Sequence, residues 1–228
     1  MAFKMFLLAF SVLLIARVTL GENDCGFHRF SLCERPEEMK AIPREVPDFN
    51  NYCVAMKSHL RCIKEFQDDC GTDRVVFFET PEIFEATYDT FSEICEEGTL
   101  LNTVATENLK CFNETFGKTR CHEESDQFLE PFIKEVRENE ELEPKFSYSC
   151  LKSALVYDCV LSAISDNCGQ LVGEAALEVL RRSKTLENAC SVRGAKSVLD
   201  ELDNLDLSEG KKRSLTQLLE KLVEETND

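Results

Sequence analysis

Residues 53–71 read CVAMKSHLRCIKEFQDDCG, and residues 150–169 read CLKSALVYDCVLSAISDNCG. In both stretches the cysteines stand eight or nine positions apart, and a glycine directly follows the third cysteine. The apolar residues between them recur at close to 3.6 positions, which is the period of an amphipathic α-helix. A fourth cysteine follows each stretch, Cys95 in the first and Cys190 in the second. We interpret the two groups as copies of one helical-hairpin unit, in which the glycine ends the first helix.

The second helix of each hairpin has its own sequence signals. In the first copy, Thr80 is a cap residue and Pro81 suits the first helical position, so a helix is expected from here to Cys95. In the second copy, residues 171–182 place apolar side chains on one helical face. The only strand-like run is short, RVVFF over 74–78. The sequence therefore predicts an all-α fold, a disulfide-stapled helical bundle with two related hairpin units.

Helix geometry limits which cysteines of a copy can pair. Two cysteines nine residues apart in a helix are separated by about 13.5 Å along its axis, whereas a disulfide needs Cα atoms about 4.4–6.8 Å apart. In an antiparallel hairpin the end of the second helix returns to the start of the first. This favours the pairs Cys53–Cys95 and Cys150–Cys190, and leaves the middle and third cysteines of each copy to bond neighbouring elements.

The other cysteines complete an even set, which predicts up to six bridges. Cys25 with Cys33, and Cys111 with Cys121, could close two small local loops. The twelve predicted disulfide cysteines are Cys25, Cys33, Cys53, Cys62, Cys70, Cys95, Cys111, Cys121, Cys150, Cys159, Cys168 and Cys190. No C-x-x-C pair occurs in the sequence, which argues against a zinc ribbon or a thioredoxin-like redox site.

The first 21 residues have the charge and polarity order of a secretory signal peptide. Lys4 precedes an apolar run over 5–15, and cleavage is expected after Gly21. The run is shorter than the roughly twenty residues of a membrane-spanning helix. A cysteine-rich chain with this leader is predicted to be a secreted, extracellular protein without a membrane anchor.

The chain is strongly acidic, with a formal net charge of −17. Removing residues 1–21 takes away Lys4 and Arg17, which leaves 24 basic against 43 acidic residues and a formal charge of −19. This balance argues against nucleic acid as a partner, because phosphates are bound through Lys and Arg. It permits cations or basic partners, although a solvated acidic surface explains it equally well.

Composition and pattern divide the chain into four parts. Residues 125–137 are expected to form a helix with Ser125 as its cap, and the acidic run 138–144 to form a linker. The predicted parts are the signal peptide 1–21, an N-terminal cysteine-rich helical half 22–143, the second hairpin unit 144–192 and a cysteine-free tail 193–228.

The tail carries leucine-rich stripes at helical spacing, which predict a pair of amphipathic helices. These helices would pack on the core or, alternatively, bind a partner or a second copy of the chain. The basic run Lys211–Arg213 would be either a solvated turn or a processing site for a secretory protease.

The sequence lacks the familiar signatures of catalysis and metal binding. None of the three histidines, His28, His59 and His122, belongs to an H-E-x-x-H pair, and no G-x-S-x-G elbow occurs. Asp200, Asp203 and Asp206 recur every third residue, which suits a solvated helix face and does not fit an EF-hand. We therefore expect no enzyme activity, metal or cofactor. Asn113-Glu114-Thr115 is a candidate N-glycosylation sequon, so Asn113 is a predicted modification site.

The cysteine arrangement of three stretches resembles that of a class of arthropod proteins. The stretches are YCVAMKSHLRCIKEFQDDCG (52–71), FSEICEEGTLLNTVATENLKCFNET (91–115) and SCLKSALVYDCVLSAISDNCG (149–169). They resemble the insect haemolymph glycoprotein family and related cysteine-rich secreted proteins of spiders and ticks. The resemblance implies a helical, disulfide-rich protein of haemolymph, silk glands or venom glands, and it implies no catalytic residue.

The function expected from the sequence is that of a secreted, non-enzymatic binding protein. The first hypothesis is a body-fluid carrier or defence protein, whose partner is a small apolar ligand or an extracellular protein. The alternatives are a venom-gland or silk-gland product that acts outside the animal, and an uncharacterised secreted enzyme. An apolar cavity of several hundred Å³ lined by Phe and Leu would favour the carrier hypothesis over the others, and a solid core would argue against it.

Overall fold

The computed structural model describes residues 33, 35–70, 78–139 and 144–224. All regular elements in these ranges are helical, which confirms the predicted all-α class. The α-helices are α1 (Val46–Cys70), α2 (Pro81–Ile94), α3 (Leu100–Glu107), α4 (Leu109–Lys118), α5 (Cys121–Glu138), α6 (Tyr148–Cys168), α7 (Gln170–Arg182), α8 (Thr185–Ala189), α9 (Val192–Glu201) and α10 (Glu209–Glu224). Short 3-10 turns cover Glu37–Met39 and Leu202–Asn204. None of the helices described is long and apolar enough to cross a membrane.

Several predicted features lie outside the described residues. These are the signal peptide 1–21, Cys25, His28, Gly71, most of the strand-like run 74–78 and the centre of the acidic linker 138–144. The predicted domain boundaries stay predictions.

Both predicted hairpins are present in the structure. Helix α1 packs against α2, and α6 packs against α7. The Thr80 hydroxyl accepts a hydrogen bond from the Ile83 backbone N–H (3.3 Å), and Pro81 occupies the first position of α2, as predicted. Gly169 ends α6 with φ at 97°, a left-handed conformation in which a Cβ would be strained. One residue thus separates α6 from α7 and turns the chain back.

The predicted cap of α5 is wrong. Helix α5 begins at Cys121, and Ser125 lies buried within it. The Ser125 hydroxyl donates to the His122 carbonyl oxygen (2.8 Å). Its hydrogen bond is therefore made to the backbone within the helix, and the side chain does not cap the helix. The start of α5 is held by the disulfide of Cys121 to α6, a tertiary contact that a local sequence pattern does not contain.

Five disulfides join the described cysteines, with Cα–Cα distances of 4.4–5.8 Å: Cys33–Cys62, Cys53–Cys95, Cys111–Cys168, Cys121–Cys159 and Cys150–Cys190. Cys70 is disulfide-bonded as well. Cys53–Cys95 and Cys150–Cys190 are the two pairs predicted from helix geometry. Cys53–Cys95 joins α1 to the residue just after α2. Cys150–Cys190 joins α6 to the residue after α8, the short helix that follows α7. Each bridge thus holds the start of the first helix of a hairpin near the chain that leaves the hairpin.

The two predicted local loops are wrong. Cys33 bonds Cys62 rather than Cys25, and Cys111 and Cys121 both bond to α6 rather than to each other. The reason is that Cys111 and Cys121 belong to separate helices, α4 and α5, each of which docks on α6 opposite a cysteine. The Cys33–Cys62 and Cys121–Cys159 bridges occupy the same place in the two copies, so the repeat extends upstream of the cysteines recognised in the sequence.

Helix α6 is the centre of the second half of the molecule. It contacts α4, α5, α7, α8, α9 and α10, and the leucine stripes of the tail pack against it. Val198, Leu215 and Leu219 are fully buried in this core, and burying such side chains contributes about 1.5–3 kcal/mol each. Of the two interpretations of the tail, the structure has the one in which its helices pack on the core.

The basic run of the tail is helical rather than a turn. Lys211 lies in the first turn of α10, and its Nζ is 2.8 Å from the Oδ2 of the buried Asp158 on α6. The Ser214 hydroxyl donates to the other carboxylate oxygen of Asp158. The solvated-turn interpretation of this run is therefore wrong, since one of its three cations anchors the helix that carries it.

A candidate ligand cavity between the two hairpins

A cavity of about 560 Å³ lies where the first hairpin meets the second. Helices α1, α2, α3 and α4 form one side of it, and α6 and α7 form the other. The Cys53–Cys95 disulfide is part of its wall. The bridge that closes the first hairpin therefore also shapes the cavity.

The lining is almost wholly apolar. Its aromatic members include Phe49, Phe91, Phe112 and Phe116, and leucines, isoleucines and valines from five helices fill the spaces between them. Among the described lining residues there is no Asp, Glu, Lys, Arg or His. A concave, apolar surface of about 300–1,000 Å³ with a few polar groups is typical of small-molecule binding sites.

Small residues on α7 leave room for the cavity. Ala175 and Ala176 present methyl groups to it, where larger apolar side chains would fill it. On the same helix, Gly173 lets α7 approach α6 closely: a Cβ at this position would lie 2.8 Å from the Cβ of Ser165. The two helices are thus in close contact at Gly173, and the small side chains of the alanines that follow leave volume for the cavity.

Ile42 and Pro43 line an open edge of the cavity, which we call its mouth, and the segment 42–44 that carries them is called the strap. Ile42 of the strap and Phe116 of α4 line the cavity and are 36% and 39% exposed. Asn113 holds the strap to α4 through two hydrogen bonds. Its Nδ2 donates to the Ile42 carbonyl oxygen (2.8 Å), and its Oδ1 accepts from the Arg44 Nε (3.0 Å).

The predicted glycosylation sequon lies at this mouth. Asn113 is half-buried, and Thr115 is only 1% exposed. The Thr115 hydroxyl lies 3.7 Å from the Sγ of Cys168, beside the Cys111–Cys168 disulfide. Because Thr115 is covered in the folded protein, modification of Asn113 would have to precede the docking of α4 on α6. Glycosylation stays a prediction.

Four side chains of the lining carry a hydroxyl group. Ser183 and Thr185 are satisfied, since their hydroxyl oxygens lie 2.6 Å apart and Ser183 also donates to the Leu180 carbonyl oxygen (3.2 Å). The hydroxyls of Tyr52 and Tyr157 form no hydrogen bond with the part of the protein that the structure describes. Burial raises the pKa of both phenols, and the positive charge of Arg35 opposes the rise at Tyr52.

An ion pair ties the two hairpins together beside the cavity. Arg182 at the end of α7 donates from its Nη2 to the Glu93 carboxylate on α2. The hydrogen bond from Arg182 lowers the pKa of Glu93 below its ordinary value. The pair therefore links the α2 wall to the α7 wall while both groups stay half-exposed.

The residues that the sequence singled out for chemistry do not come together. His59 lies on α1 with a lowered pKa, caused first by desolvation and then by Arg35, and His122 is exposed at the start of α5. The described residues contain no group of three or more His, Cys, Asp or Glu side chains placed to hold a metal ion. The cavity residues were missed, because an apolar helix face that lines a cavity has the same sequence pattern as one that packs in a core.

Comparison of the chain with protein-family models, with curated proteins and with solved structures gives no match. The resemblance to the insect haemolymph glycoprotein family therefore stays a prediction, and the geometry of the cavity is what bears on function.

Proposed function

We propose that the protein is a secreted carrier that binds a small apolar molecule in the cavity between its hairpins. The observation that carries the proposal is the cavity of about 560 Å³ with its apolar lining. This volume is nearly four times that of the roughly 150 Å³ apolar cavities that take up benzene. A ligand removes this apolar surface from water, which is the main driving force for such binding.

The form of the lining supports binding rather than catalysis. General acid–base or nucleophilic chemistry needs ionisable side chains near the substrate, and the described lining supplies hydroxyl groups and apolar surface. The disulfides support an extracellular location, because such bridges persist in oxidising compartments. They also hold the walls in place, so that little ordering accompanies binding.

A fluorescent apolar probe such as N-phenylnaphthylamine tests the proposal. The protein is expected to take up one probe molecule with a rise in fluorescence. Ala176→Phe on α7 places a ring in the cavity and is expected to weaken probe binding at least about tenfold, a loss of about 1.4 kcal/mol. Ala163→Phe on α6 is the matched control, because Ala163 is also half-buried but does not line the cavity.

Stability gives a second readout of the same event. A ligand that binds only the folded state adds about 2.7 kcal/mol to the free energy of unfolding at a hundredfold excess over its dissociation constant. Probe at this concentration should therefore raise the melting temperature of the wild type and of Ala163→Phe by clearly more than that of Ala176→Phe. Equal probe binding by the two variants would contradict the proposed site, and no binding by the wild type would contradict the function.

A further inference from the structure

Two of the four hydroxyl-bearing residues of the lining are tyrosines. Tyr52 comes from α1 in the first hairpin, and Tyr157 comes from α6 in the second. Neither hydroxyl has a hydrogen-bond partner in the described protein, whereas Ser183 and Thr185 bond to each other. The hydroxyls are not fully buried, because among the described residues the buried side-chain atom without a partner is the His59 Nδ1. Water therefore reaches both phenols, and a ligand oxygen can replace it. One unpaired phenol thus stands on each side of the cavity.

We propose that the ligand is a neutral apolar molecule with one or two hydroxyl or carbonyl oxygens, which Tyr52 and Tyr157 hold by hydrogen bonds. This inference rests on the proposed carrier function and adds the chemical class of the ligand. A phenol hydroxyl both donates and accepts, so either tyrosine serves an alcohol or a carbonyl group. Each phenol stays protonated at neutral pH, because the ordinary pKa of a tyrosine is about 10 and burial raises the pKa of both groups.

Charge argues against an anionic ligand such as a fatty acid. A carboxylate that leaves water needs a cation or several hydrogen-bond donors to replace its hydration. The described lining has no Lys or Arg, and Arg35, whose charge acts on Tyr52, is exposed and is not part of the lining. The chain as a whole carries a formal charge of −17, which repels anions approaching from solution.

Three competitors of equal chain length test the ligand class: dodecanol, dodecanoate and dodecane. Each is titrated against the fluorescent probe N-phenylnaphthylamine bound to the full-length protein at neutral pH. Dodecanol is expected to displace the probe at a concentration at least about tenfold lower than dodecanoate. Tyr52→Phe and Tyr157→Phe keep the ring and remove only the hydroxyl. Losing one neutral hydrogen bond should weaken dodecanol about two- to twelvefold in at least one of these variants, while dodecane binds all three proteins equally.

The outcomes separate this inference from the carrier function itself. If the probe does not bind the wild type, the proposed function fails and the ligand class fails with it. If the probe binds but dodecanoate displaces it as well as dodecanol does, only the neutral class is overturned. If both Tyr→Phe variants bind dodecanol as tightly as the wild type does, the tyrosines do not recognise the oxygen. The same conclusion follows if the variants lose as much affinity for dodecane as for dodecanol. Circular dichroism confirms that each variant is folded before titration.

Discussion

Replacing Gly173 with alanine is expected to destabilise the protein, although alanine is the better helix former. A Cβ at position 173 would lie 2.8 Å from the Cβ of Ser165 and 3.1 Å from its Cα. Neither atom is the mobile end of a side chain, so α6 or α7 must shift as a whole. Such overpacking costs about 1–3 kcal/mol, against a gain of up to about 1 kcal/mol from helix propensity.

Gly117 in α4 provides the matched control for this substitution. A Cβ there would meet nothing within 4 Å, so Gly117→Ala keeps the propensity gain and has no clash. The free energies of unfolding of the two variants should therefore differ by about 1–3 kcal/mol, with Gly173→Ala the less stable. Gly194 is an intermediate case, because its Cβ would lie 3.2 Å from that of Ser147.

Urea unfolding followed by far-ultraviolet circular dichroism, with the disulfides intact, measures these differences. For a protein of this size, 1 kcal/mol corresponds to about 2–4 °C in melting temperature, so a thermal scan gives an independent check. If Gly173→Ala is as stable as Gly117→Ala, the close approach of α6 and α7 is wrong. The cavity wall that depends on this approach would then need revision as well.

Two further predictions concern the links between the halves. Replacing Cys111 and Cys168 together by serine removes a disulfide with a sequence separation of 57. Loop entropy predicts that the free energy of unfolding falls by about 4 kcal/mol, which lowers the urea midpoint. An unchanged midpoint would contradict this pairing. Glu93→Gln should lower stability at neutral pH. Because Arg182 holds the pKa of Glu93 below its ordinary value, the pair stabilises above the unfolded-state pKa and loses this effect as pH falls through the folded-state value. The difference between wild type and Glu93→Gln should therefore shrink on acidification, and a difference that grows would contradict it.

Local signals predicted the helices well where they act within a few residues. Thr80 and Pro81 start α2, and Gly169 ends α6, because capping and left-handed glycine are properties of the chain itself. The Ser125 cap failed for the opposite reason. A serine near a helix start bonds whichever carbonyl or N–H it reaches, and the start of α5 depends on a disulfide to another helix.

The disulfides show the same division between local and tertiary information. The rise of a helix, together with the antiparallel path of a hairpin, was enough to predict Cys53–Cys95 and Cys150–Cys190. The partners of Cys111 were beyond that reasoning, because they depend on how α4 docks on α6. The cavity was beyond it too. Phe49 and Phe91 occupy helical apolar positions, and only the distance between helices decides whether such residues touch each other or line a space.

The two copies of the hairpin have different surroundings among the described elements, and both contribute walls to the cavity. In the second copy, α6 is covered by α5, α9 and α10, whose leucines close the core around it. In the first copy, the described elements that contact α1 include α2 and the 3-10 turn Glu37–Met39. Phe49 of α1 and Phe91 of α2 line the cavity together with residues of α6 and α7, and the Cys53–Cys95 disulfide fixes the first two of these helices to each other. Both copies thus leave part of their apolar surface on the cavity, and a small apolar molecule can complete that burial.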